Sequence, residues 1–209
     1  MTRVRATFLR TYAVALMFLL LVALGEAITA LISPHQVAAL HQWASTNIAN
    51  LHHHPVQALI LSAFLPSGSP LAWLALIALT MFGANRALGN LRLVTVCAAG
   101  HLIGTAVSER ILAYRIDHHT EPPSMAHLID IGSSFVVVSA IVVAVLFGSW
   151  PARIAALLAF AALVLAGHIF AGLTSLDVAA VGHLTAMVVA GVLALAFRPG
   201  ARRLSRLAA

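Results

Sequence analysis

Two short stretches combine the residue types that serine chemistry requires: Gly132-Ser133-Ser134 and Gly182-His183. Each lies where a polar segment passes into a long apolar run. A serine hydroxyl becomes an effective nucleophile only when a neighbouring base takes its proton, and an imidazole is the base best suited to neutral pH. Ser134 and His183 are therefore the candidate nucleophile and base. Acyl transfer also needs hydrogen-bond donors aimed at the developing oxyanion, and the backbone N–H of a serine that opens a helix can be one of them. Polar side chains at membrane depth are costly, which makes each one a candidate functional group.

The same residues have plainer uses. A serine at a helix start commonly serves as a cap. Asp130 and Asp177, just ahead of two apolar runs, are expected to cap them; Asp177 and His183 are six residues apart, on different faces of a helix. His101 and His168 lie inside apolar runs, where hydrogen bonding between helices is the expected role. Glu26 is expected to be packed and partnered.

The elements that must position these groups follow from composition. Of 209 residues, 61% are hydrophobic and 9% charged, and the mean hydropathy is +0.99. Too little polar surface remains to cover a water-facing domain, so the chain reads as an all-α integral membrane protein. A span takes about 20 apolar residues. Six are expected: Tyr12 to Ile32, Leu71 to Leu88, Leu93 to Tyr114, Ile131 to Phe147, Arg153 to Gly172 and Val178 to Phe197. They form one transmembrane domain over residues 1–209, with short cytoplasmic tails at 1–10 and 198–209. Pro34, Pro70, Gly89, Pro122-Pro123 and Pro151 punctuate the junctions. The lone Cys97 falls in an apolar run, which suits packing and excludes an internal disulfide.

The net charge of +6 is carried by arginine alone. With the N-terminus inside, Arg3, Arg5, Arg10, Arg86, Arg92, Arg153, Arg198, Arg202, Arg203 and Arg206 face the cytoplasm, against Arg110 and Arg115 outside. That asymmetry predicts a multi-pass protein of the cell membrane with both termini cytoplasmic. It also explains the basic charge without nucleic acid as a partner. His35, His41, His52–His54, His118, His119 and His127 fall in outer loops, so polar chemistry faces outward. The histidine spacings match no structural zinc motif, and neither a metal nor another cofactor is implied. The first outer loop, Ser33 to Pro70, mixes Trp43, Ile48, Leu51, Leu59, Phe64 and Leu65 with Gln, Asn and His, which predicts interfacial helices.

Six spans, a long first outer loop, a serine entering the fourth span and a histidine opening the sixth together resemble the rhomboid family of intramembrane serine proteases. Gly132-Ser133-Ser134-Phe135 is similar to the family's Gly-x-Ser-Gly, with Ser134 on the nucleophile position. Gly182-His183-Leu184-Thr185-Ala186 is similar to the base motif, with Ala186, Ala190 and Gly191 as the small residues that follow. Phe82 to Gly89 resembles the turn between spans two and three. A divergent group of actinobacterial rhomboid-like membrane proteins, with an Asp-x-Gly-x-Ser-aromatic motif, resembles Asp130-Ile131-Gly132-Ser133-Ser134-Phe135 more closely still. The resemblance implies a Ser134–His183 dyad that cleaves membrane-anchored proteins near the outer leaflet.

Departures from the family pattern point the other way. Its oxyanion His-Asn pair on the second span falls on Leu71 and Ala75, or on Ser69 and Trp73, and is absent. The glycine after the nucleophile is Phe135, the aromatic one turn later is Val138, and the family's Trp-Arg pair falls on Gln57 and Ala58. Ser67, Ser69 and His52–His54 are the replacement donors at hand. The alternative reading is thus an inactive rhomboid-like protein that binds client helices in the bilayer. A third reading is a metal or proton transporter using the outer histidines, Glu26 and Glu109.

Overall fold

The computed structural model describes residues 2–65, 68–167 and 169–197. All regular secondary structure among these residues is helical, with ten α-helices. They are α1 (Thr2–Thr11), α2 (Ala13–Leu31), α3 (Pro34–Ala44), α4 (Ile48–His53), α5 (Pro55–Ser62) and α6 (Pro70–Leu88). After them come α7 (Asn90–Asp117), α8 (Ser134–Phe147), α9 (Trp150–Leu165) and α10 (Val178–Ala196). Short 3-10 turns at Pro123–His127 and Leu173–Ser175 precede α8 and α10.

Local sequence explains most boundaries. Proline stands in the first turn of α3, α5, α6 and α9, where its missing N–H costs nothing. Ser33 and Gln36 form a reciprocal capping box at α3. Asp177 accepts from the Ala179 and Ala180 amides, so it is the cap of α10 that its position predicts. Gly89, at φ +79°, turns α6 directly into α7. Most of the segment expected as the N-terminal tail lies in helix α1. Residues 198–209, with four of the arginines, lie outside the described residues, as do His168 and Ser67.

Four helices, α2, α6, α7 and α10, are long and apolar enough to cross a membrane. The other two expected spans differ from their predicted extents. The fourth begins at Ser134 rather than Ile131 and has 14 residues; the fifth runs from Trp150 to Leu165, not to Gly172, and has 16. At about 1.5 Å per residue, α8 rises only about 21 Å, short of a hydrocarbon layer of about 30 Å. Helix α8 can be short because it is enclosed. Every residue from Phe135 to Ile141 is buried, as in a helix that is apolar on all sides. Helices α6, α7, α9 and α10 pack around it.

Small residues set the closeness of that packing. A Cβ on Gly100 of α7 would strike the Ser139 hydroxyl of α8, and one on Gly104 would meet the Gly182 carbonyl of α10 at 3.0 Å. Ala186 and Ala190 are fully buried on the facing side of α10. Without a hydrophobic driving force between helices in lipid, such close backbone approach is what gains dispersion contact.

Polar groups close the two ends of the bundle. At one end the buried Asn85 accepts from the Ala15 amide at 3.0 Å, bonds Asn90, and thereby satisfies an orphan donor of α2. Arg92 reaches the Phe197 carbonyl there. At the other end Arg115 pairs with Glu121 at 2.6 Å and donates to the Ser175 carbonyl. Glu26 departs from expectation: its Oε1 is buried with no hydrogen-bond partner among the described residues.

Candidate active site

Ser134 owes its position to the segment before it. Residues 128–133 form no regular structure, so their backbone polar groups need partners from elsewhere in the protein. The first loop supplies them. Ser45 Oγ donates to the Leu128 carbonyl and accepts from the Asp130 amide at 2.8 Å; Thr46 bonds the Asp130 carbonyl through both its amide and its hydroxyl. Farther along, the Gly132 amide donates to the Ser62 carbonyl at 2.9 Å, and Ser133 Oγ donates to the Ala63 carbonyl at 2.8 Å. The end of α5 is thus clipped onto the approach to α8. Gly132 sits at φ +139°, a region that disfavours any residue with a Cβ.

This clip divides the two serines. Ser133 is fully buried and its hydroxyl is consumed by Ala63. Ser134 is half-buried, occupies the first position of α8, and is not a cap. It lines a small cleft, too tight to hold a water molecule, with Thr46, Ser62, His101, Asp130, Gly132 and Phe135. The first turn of α8 carries no capping side chain, so no side chain takes up its leading N–H groups.

His183 lies on α10, 3% exposed, with Nδ1 donating to the Ile169 carbonyl at 3.3 Å. It contacts Phe135, the residue that follows Ser134. That ring stands edge-on to the imidazole, with centroids 5.1 Å apart at 89°. It fills the space a Cβ on Gly182 would need. Ser134 and His183 therefore share a neighbour, and no hydrogen bond joins them among the described residues.

The imidazole that lines the Ser134 cleft belongs to His101, on α7. Its expected interhelical bonding takes the form of Nε2 contacts to the Leu59 carbonyl at 2.9 Å and Ser62 Oγ at 3.4 Å, which tie α7 to α5. Its place in the cleft has one sequence signal, an ionisable residue in the middle of an apolar run. Ser69 and Leu71 stand at the exposed start of α6, and His52–His54 are exposed; none lines the cleft.

Asp130 does not cap α8, which starts four residues later. Its carboxylate instead accepts from the Thr46 hydroxyl at 3.1 Å and lies near Glu109, which is 4% exposed. Burial pushes the Asp130 carboxyl up to about 6; the Thr46 hydrogen bond opposes this and the charge of Asp177 adds to it. The folded protein then keeps a proton that the unfolded chain has released. The contribution of Asp130 to stability should accordingly fall as pH rises from about 4 toward 6, then level off. Thermal melts in detergent across that range should show the decline, and Asp130→Asn should make it shallower while keeping an acceptor for Thr46. A slope unchanged in the variant would assign it to another group.

A family model described as rhomboid-like protein matches residues 7–206. No curated protein and no solved structure matches the chain.

Proposed function

Because the chain belongs to the rhomboid-like family, we propose that it is an intramembrane serine protease that cleaves membrane-anchored proteins near the outer leaflet. Ser134 is the nucleophile. His183, on the family's base position, is its acid–base partner once the Phe135 ring swings aside. The observation that carries this reading is the state of Ser134: half-buried at the first position of α8, lining a polar cleft, beside a serine whose own hydroxyl is already bound. Six spans with both termini cytoplasmic put that cleft on the outer side of the cell membrane, with α3–α5 lying at the interface. The protein needs no cofactor for this chemistry.

The test is reaction of the reconstituted protein with an alkyl fluorophosphonate, followed by cleavage of a model single-span substrate. A covalent adduct on Ser134 and a cut substrate are the expected results. One observation favours a second reading, an inactive family member that binds client helices: Phe135 stands where the family has glycine, and its ring packs edge-on against His183. A chain that captures single-span helices without forming any serine adduct would decide for that reading.

A further inference from the structure

We propose that His101 is a further catalytic residue of this site, a second base that takes the Ser134 proton while Phe135 stays in place. The inference rests on Ser134 being the nucleophile. His101 and Ser134 line one cleft, and His183 is absent from its walls.

The hydrogen bonds of the ring fix what it can do. A carbonyl oxygen only accepts, so the 2.9 Å contact to Leu59 makes Nε2 the donor. The neutral ring then carries its lone pair on Nδ1. That atom is buried, in a residue 6% exposed, and has no hydrogen-bond partner among the described residues. An imidazole with one nitrogen oriented by a carbonyl and the other left bare is the arrangement that nucleophile activation needs. A bare acceptor in a water-poor site is costly, and a hydroxyl in the same cleft is the group that would relieve it. Bonds of this kind commonly tighten only when substrate is bound.

The step balances as follows. The Ser134 Oγ–H bond breaks and its proton moves to His101 Nδ1. Oγ forms a bond to the substrate carbonyl carbon, whose π pair moves to oxygen. Collapse breaks the C–N bond, and the leaving nitrogen takes the proton back from Nδ1. Water then hydrolyses the acyl-serine by the same route. With a fluorophosphonate, Oγ bonds to phosphorus, fluoride leaves with the bonding pair, and the proton remains on Nδ1.

The experiment measures the rate of fluorophosphonate adduct formation on Ser134, by mass spectrometry, with the full chain in liposomes. The variants are His101→Gln, His183→Ala, the double variant, and His101→Ala with His183→Ala. Glutamine can still donate to Leu59 but cannot act as a base. With two bases available, His183→Ala should keep measurable labelling, and adding His101→Gln should lower it by about 10²–10⁴-fold. Added imidazole should restore labelling in the variant that lacks both rings, an effect a purely structural role would not give. Folding of each variant is checked by its melting temperature. Labelling abolished by His183→Ala alone, or unchanged by His101→Gln in both backgrounds, would overturn the proposal and leave Ser134 as nucleophile. A wild-type protein unlabelled at Ser134 would remove both the nucleophile and this base.

Discussion

Ser134→Ala should abolish fluorophosphonate labelling and lower substrate cleavage by at least ~10⁴-fold, because without the hydroxyl no acyl-enzyme can form and only positioning remains. The fold should survive, since Ser134 is half-buried and caps nothing. Ser133→Ala should behave in the opposite way. Its hydroxyl holds the Ala63 carbonyl at 2.8 Å inside the protein, and removing it leaves a buried acceptor unpaired at a cost of about 1–3 kcal/mol. Labelling should then persist on Ser134 while the melting temperature falls. The pair of variants is a sharp comparison because the two residues are adjacent in sequence and separated only by what α5 binds. Labelling that survives Ser134→Ala would place the nucleophile elsewhere.

Phe135→Ala should produce the largest loss of stability of any single substitution considered, about 3–5 kcal/mol by analogy with other buried aromatic truncations. Phe135 is 3% exposed, and its ring touches helices α7 and α10 at once. It fills the hollow that Gly182 and Gly104 leave open, and neither glycine has a side chain to fill the vacancy. Reversible unfolding in mixed detergent measures the loss. If the folded fraction is compared at a permissive temperature, the same variant should also label faster at Ser134, because the group standing against His183 is gone. A variant as stable as the parent would mean that the ring is not the wedge between α7, α8 and α10.

Much of the architecture was legible from local rules. Apolar run lengths, the prolines that open helices and Gly89 mark the elements, because each acts within a few residues of itself. Asp177 was readable as a cap for the same reason. The small residues of α10 were readable as a close-approach face through their helical spacing, and Ala186 and Ala190 are fully buried there.

What stayed hidden depends on segments far apart in the chain. The start of α8 at Ser134 follows from bonds between residues 128–133 and the first loop, more than 60 positions earlier. Those bonds make Asp130 a partner of Thr46 rather than a cap, and they turn Ser133 inward. The sequence by itself determined a helical, membrane-embedded chain with a serine and a histidine at the heads of two apolar helices. Only the tertiary structure decided that Phe135 lies against His183 and that His101 shares the cleft with Ser134. Periodicity states which face of a helix is apolar, whereas the rotation and depth at which three helices meet are set by how their side chains interlock.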